Sequence, residues 1–139
     1  MSNHFVMTKT GKKCGPYEEL LECDSDYCIV ETSTGEKVYV DFEVGEVRFP
    51  CDWESVSWSG MRSDGKKLFV VQWNAARDVK KVVMRAAIYT EAGEKVFSSR
   101  MVYKIQVLKH LGQWLFIAYN VNGLLDVINE NGEHLGEIR

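Results

Sequence analysis

Trp114-Leu-Phe-Ile-Ala-Tyr119 and Leu124-Leu-Asp-Val-Ile128 are short, mostly apolar runs, Glu133-His-Leu-Gly-Glu-Ile138 follows them as a further expected strand, and Asn122-Gly123 and Asn131-Gly132 stand between the three. Runs of this length, rich in aromatic and branched side chains and divided by Asn-Gly, read as strands joined by tight hairpins. The first run is apolar on both faces, as in a strand covered on both sides. Glycine after Asn supplies the positive φ that such hairpins need, and both turns are expected to be of type I′.

The same pattern runs back to Tyr27. Val38, Val40, Phe42 and Val44 alternate with Lys37, Tyr39, Asp41 and Glu43, which predicts a half-buried strand of period two. Leu68-Phe-Val-Val71 is a second run that is apolar throughout, and further strands are expected at 27–31, 47–49, 53–58, 95–99 and 102–108. Thr34-Gly35, Asp64-Gly65 and Ala92-Gly93 mark the turns between them. One segment reads two ways. Val79, Val82, Val83, Ala86 and Ala87 fall at helical spacing, with Asn74 placed to cap a helix and Gly93 to end it. Val82, Met84, Ala86 and Ile88 also alternate as a strand, and the hairpin-like turn at 90–95 favours that reading. A short helix near 75–88 is the alternative.

Taken together, the pattern predicts an all-β fold: a single-domain antiparallel meander of about 8–10 strands. It would span 1–139, with 1–16 as a mobile N-terminal segment. A meander must dispose of two hydrogen-bonding edges. An up-and-down barrel of lipocalin-like form does so best, and a two-sheet sandwich comes second.

A recurrence runs through the turns. The stretches 29–38, 88–96 and 127–135 share an apolar pair, a Gly-Glu turn and a further apolar residue. Trp58–Val71 is similar to the start of a propeller blade's inner strand. The chain has room for about three such units, whereas a closed propeller takes at least ~4 blades, so a ring would require oligomerisation. The glycines stand at irregular intervals (35, 93, 132), which fits reuse of turn chemistry better than a repeat.

Composition narrows the class. With 45% hydrophobic and 27% charged residues, a chain of 139 residues has the material for one core and is not a disordered segment. Only 11 Gly and 2 Pro exclude a collagen-like chain. No apolar run approaches the roughly 18–20 residues that cross a bilayer. The N-terminus lacks a basic flank followed by an apolar stretch, so a cytoplasmic protein without membrane partners is expected.

Charge is segregated along the chain: +3 over 1–16, −10 over 17–54, +7 over 55–109 and −3 over 110–139. Glu18, Glu19, Glu22, Asp24 and Asp26 form a candidate surface for a basic protein partner. The competing reading is that opposite charges interleave across paired strands. Basic and aromatic residues alternate over 62–109, a composition suited to single-stranded nucleic acid. The pI of about 5.6 and the acidic segment argue against that partner.

Catalytic motifs are scarce. His4, His110 and His134 form no HExxH pair, and there is no GxSxG elbow, Walker loop or GxGxxG. An enzyme would have to assemble its site from distant residues. Cys14, Cys23, Cys28 and Cys51 contain no CxxC pair. They read first as free thiols, with a disulfide or a zinc site as alternatives, and neither metal nor cofactor is expected. Lys12 and Lys13 beside Cys14, in what reads as an exposed loop, would favour its thiolate. Trp58, Trp73, Trp114, Tyr103 and Tyr119 are candidate walls for a planar ligand, and Arg85 could meet an anionic group, as could Lys104. The same indoles also serve as plain core. The first expectation is therefore a non-enzymatic protein holding a small molecule in a Trp/Tyr-lined barrel cavity. A protein-binding inhibitor or immunity-type protein follows, and an enzyme comes third.

Overall fold

The structure, a computed structural model, describes residues 3–76 and 80–139. Among them the chain is all β, with fourteen strands in four antiparallel sheets and no helix. In every sheet the strands adjacent in sequence are neighbours. The chain divides into two compact units, Met1–Arg48 and Phe49–Arg139.

In the first unit, β1 (His4–Met7) and β2 (Lys13–Tyr17) form a hairpin. A four-stranded sheet follows: β3 (Glu19–Cys23), β4 (Tyr27–Glu31), β5 (Lys37–Asp41) and β6 (Gly45–Val47). Cys28, Val30, Val38 and Val40 share one face of β4 and β5, and they bury Cys14 and Tyr17 of β2. Cys14 therefore does not lie in an exposed loop, and the premise for a reactive thiolate there fails. The Tyr17 hydroxyl donates to the Glu46 carboxylate at 2.6 Å. Burial, followed by that bond, pushes its phenol far above the ordinary value.

Strand β5 is shorter than its alternation predicted. It ends at Asp41, whose carboxylate accepts the N–H groups of Glu43 (2.8 Å) and Val44 (3.1 Å) and so turns the chain. Phe42 and Val44 leave the strand, and Val38–Asp41 is buried on both faces instead of one.

The second unit contains two four-stranded sheets. The first is β7 (Ser55–Met61), β8 (Lys67–Asn74), β9 (Met84–Thr90) and β10 (Lys95–Ser98). The second is β11 (Val102–His110), β12 (Gln113–Asn120), β13 (Leu125–Asn129) and β14 (His134–Ile138). Leu68, Val70, Ala86 and Ile88 pack face to face with Val102, Ile105, Phe116, Ala118 and Ile128. This is a sandwich, and it corrects the closed barrel. The chain leaves β10 through 99–101, and β11 then pairs with β12 alone, so a new sheet begins where a barrel would have added a strand. The far face of the first sheet buries Phe69, Val71, Ala87 and Tyr89, and the Phe49 ring lies against Trp53 (5.5 Å), Phe69 (5.6 Å) and Tyr89 (6.0 Å).

The two sheets of this unit are also joined by polar groups. The buried Glu130 carboxylate accepts the N–H groups of Ser63 (3.0 Å) and Trp114 (3.2 Å) and the Ser63 hydroxyl. Arg62 donates to the Glu130 carbonyl at 3.3 Å, and the Trp114 indole N–H donates to the Met61 carbonyl at 2.8 Å.

The helix reading is overturned over Met84–Thr90, which is strand; Val79 lies outside the described residues. Asn74 does not cap a helix. Its side-chain oxygen accepts the N–H groups of Ala76 and Val83, both at 3.0 Å, and closes the base of the β8–β9 connection.

The turns also differ in type. At Gly123 and Gly132 only the glycine has positive φ, so neither turn is type I′, which needs it at both central residues. Thr32, Thr90 and Asn129 each donate N–H to the carbonyl four residues on, and their side-chain oxygens accept that residue's N–H. These are the recurrent stretches, and they fall in β4–β5, β9–β10 and β13–β14. The hairpin is thus second-to-third in one sheet and third-to-fourth in two, a shared turn rather than a strict repeat. Leu111 (φ 50°) and Gly112 (φ 78°), between the paired His110 and Gln113, form the two-residue turn with positive φ throughout.

Candidate functional site

Strand β8 is buried from Lys67 to Val71 and half-buried from Gln72 onward. Trp73 sits in that last part, opposite Arg85 at the start of β9. Their register places both on the sheet face that also carries Phe69 and Tyr89, at the end where the packed core stops. Strand β10 ends at Ser98, opposite Ala87, and so brings Ser98, Ser99 and Arg100 to the same end.

The result is a cleft of about 300 Å³ lined by Trp73, Ala75, Arg85, Ser98, Ser99 and Arg100. A second cleft of about 400 Å³ shares Arg85 and is otherwise more apolar: Val82, Val83, Met84, Tyr103 and Val121. Arg85 donates to the Met84 carbonyl at 3.1 Å. Among the described residues neither Arg85 nor Arg100 is in an ion pair with a carboxylate, whereas Arg48, Arg62 and Arg139 all are. The Ser99 hydroxyl oxygen accepts the Met101 N–H at 3.2 Å, which holds the turn that carries Arg100. Chemically the cleft offers guanidinium N–H donors, hydroxyls and one indole, a set that suits an anionic group attached to a flat ring.

The candidate ligand residues are divided among three places. Trp73 and Arg85 line the first cleft, and Tyr103 joins Arg85 in the second. Trp58 and Trp114 lie between the sheets instead. Their rings meet edge-on at 4.9 Å, and Trp58 also meets Phe116 at 5.6 Å. The Trp58 indole lies over Gly60, where a Cβ would collide with it. Tyr119 is on the outward face of the second sheet, its hydroxyl donating to the Gln106 side chain at 2.8 Å and its ring 5.0 Å from the Lys104 ammonium. Lys104 is therefore committed there and does not line either cleft. Ser98, Ser99 and Arg100 were missed in the sequence. Their signal was a polar Ser-Ser-Arg triplet between two strand patterns, which reads as an ordinary turn.

The acidic candidates belong to the first unit. Glu18 precedes β3, Glu19 and Glu22 lie on it, and Asp24 and Asp26 lie in the β3–β4 connection. Strand β3 is an edge of its sheet and exposed at every residue, with Leu20 51% and Leu21 45% exposed. Glu22 accepts the Tyr27 hydroxyl at 3.2 Å. Burial and then the Glu22 charge raise the Tyr27 phenol above its ordinary value. None of the five carboxylates is in an ion pair among the described residues. The pairs that Arg48 makes with Glu36 and Glu46 lie elsewhere in this unit.

Cys14 and Cys28 are buried, Cys51 is half-buried and Cys23 is exposed; all four are free thiols. Among the described residues no group of three or more His, Cys, Asp or Glu side chains could hold a metal ion. His134 meets Asp126 at 3.0 Å on the surface. No described helix is long and apolar enough to cross a membrane. Compared with protein-family models, curated proteins and solved structures, the chain shows no match to any.

Proposed function

We propose that this all-β protein is a non-enzymatic binding protein that takes a small anionic molecule bearing a flat ring in the Trp73–Arg85–Arg100 cleft. The observation that carries this reading is the half-buried Arg85, set beside an indole and two serines with no carboxylate partner among the described residues. A partly desolvated guanidinium without a counter-charge is costly to leave empty and favourable to fill. The ring would lie against Trp73, and the anion would bridge Arg85 and Arg100.

The test is tryptophan fluorescence and calorimetry with a panel of aryl carboxylates and aryl phosphates. A charge-assisted hydrogen bond contributes about 1.5–3 kcal/mol, so Arg85→Gln should weaken binding by roughly 10–150-fold. Trp73→Phe should remove the fluorescence response while calorimetry still reports binding. A panel without a single binder, or binding indifferent to Arg85→Gln, would overturn the reading.

A second reading rests on the exposed, acidic β3 edge. Its open edge and five carboxylates, none in an ion pair among the described residues, suit a basic protein segment that adds as a further strand. Reversing Glu18, Glu19 and Glu22 to Lys should then abolish capture of a basic partner, and high salt should weaken capture by the parent. Capture unchanged by the reversal would sink it.

A further inference from the structure

Cys23 ends the exposed edge strand β3, and Cys28 lies directly opposite it on β4. The three residues between the strands, Asp24, Ser25 and Asp26, are closed by an Asp24 N–H bond to the Tyr27 carbonyl at 2.9 Å. The two sulfurs are 2.8 Å apart, sharing an S–H···S contact. Directly opposed residues of an antiparallel pair have Cα atoms about 4.5–5.5 Å apart, inside the roughly 4.4–6.8 Å that a disulfide spans. The backbone therefore needs no rearrangement to join them.

The two thiols are also unlike in a useful way. Cys23 is exposed, whereas Cys28 is 5% exposed in the packed face with Cys14 and Val40. Burial, and after it the Cys23 thiol, pushes the Cys28 thiol up to about 12, so solvent reagents meet Cys23 first.

We propose that Cys23 and Cys28 are a dithiol–disulfide switch whose oxidant is a small cationic or neutral disulfide. The Cys23 thiolate attacks one sulfur of that molecule, its S–S bond breaks, and one half leaves as a thiolate. Cys28 then gives its proton to solvent and attacks the Cys23 sulfur, displacing the second half. The protein loses two hydrogens and the small disulfide becomes two thiols. Glu22 and Asp24 flank Cys23 in sequence, and Asp26 lies in the same connection. They set the preference, attracting a dication and repelling an anion. Closure ties the end of the free edge strand to the sheet.

The experiment treats the native protein with cystamine or with oxidised glutathione, alkylates the remaining thiols and reads intact mass and crosslinked peptides. The expected product has two fewer alkylated thiols, a Cys23–Cys28 peptide and no retained adduct. Cystamine should react about tenfold faster than oxidised glutathione at low salt, and high salt should narrow the gap. The Cys28→Ser variant should stop at a mixed disulfide on Cys23, and Cys23→Ser should leave Cys28 unmodified. Retention of the adduct on Cys23 in the parent, a Cys14–Cys28 bond, or modification of Cys28 in Cys23→Ser would each overturn the switch. Equal rates for the two reagents would overturn its selectivity.

Discussion

Glu130 offers the sharpest test of how the second unit holds together. It follows β13 at the start of the β13–β14 turn and is 4% exposed. Its carboxylate reaches Ser63 in the β7–β8 turn of one sheet and Trp114 on β12 of the other. Removing it with Glu130→Ala leaves these donors without an acceptor. Ser63 is exposed and can turn to water, so the main loss falls on the half-buried Trp114 N–H and on the link between the sheets. An orphaned buried donor costs about 1–3 kcal/mol and a charge-assisted bond about 1.5–3, so the expected loss is roughly 2–3 kcal/mol. For a unit of this size that is a fall in Tm of about 10–20 °C. Glu130→Gln keeps an acceptor oxygen and should lose about half as much. Titration gives an independent check. Burial alone would raise this carboxyl, but the Ser63 hydroxyl, the Trp114 and Ser63 N–H groups and the Arg62 charge outweigh it and hold it below its ordinary value. Its stabilisation is therefore complete above the ordinary carboxylate range and is lost as pH falls through the lowered value. Thermal melts of parent, Gln and Ala proteins from neutral to acid pH would show this as a gap between parent and Gln that closes in acid. An Ala variant melting within about 2 °C of the parent, or a gap independent of pH, would refute the clamp.

Two further outcomes follow from backbone geometry. Leu111 is 90% exposed with φ 50°, so Leu111→Asn loses no burial and relieves a left-handed residue; urea unfolding should show a gain of about 0.5–1 kcal/mol, and Leu111→Val a loss. Gly132 has φ 85°, and a Cβ there would run into the Val96 carbonyl oxygen; Gly132→Ala should cost about 2–4 kcal/mol by the same assay, whereas Gly123→Ala, with open space around it, should cost about 1.

Strand identity was legible because the core runs signal it twice. Leu68–Val71 and Phe116–Ala118 are apolar at every position, and the glycines at 65, 93, 123 and 132 punctuate them with the positive φ that the turns require. Sheet boundaries were not legible. Ser99, Arg100 and Met101 look like one more hairpin connection, and nothing in them announces that β11 will pair forward with β12 instead of back with β10. The first strands were missed for a similar reason: β1 is almost wholly exposed, β3 entirely so, and neither carries an alternation to detect. Arg85 and Trp73 could be named from sequence because a charge or an indole near the end of an apolar strand is conspicuous. Arg100 could not, because its placement depends on where β10 stops. Trp58 and Trp114 show the limit of composition: an indole on a strand is the same letter whether it faces a ligand or another indole.

The two binding readings make opposite electrostatic demands. The cleft presents guanidinium groups without a counter-charge among the described residues and would gather anions. The β3 edge presents carboxylates without a counter-charge among the described residues and would gather cations. The ion pairs that Arg48, Arg62 and Arg139 make are local: Arg48 with Glu36 and Glu46, Arg62 with Asp64, Arg139 with Glu137. The acids on β3 also perform a duty that needs no partner, since charge on an exposed edge opposes sheet-to-sheet association between copies. That duty is served by net charge alone, whereas docking of a basic strand requires particular carboxylates beside open backbone groups. Moving the charges off β3 while keeping the net charge therefore separates the two: solubility should hold in either case, and only a docking edge would lose its partner.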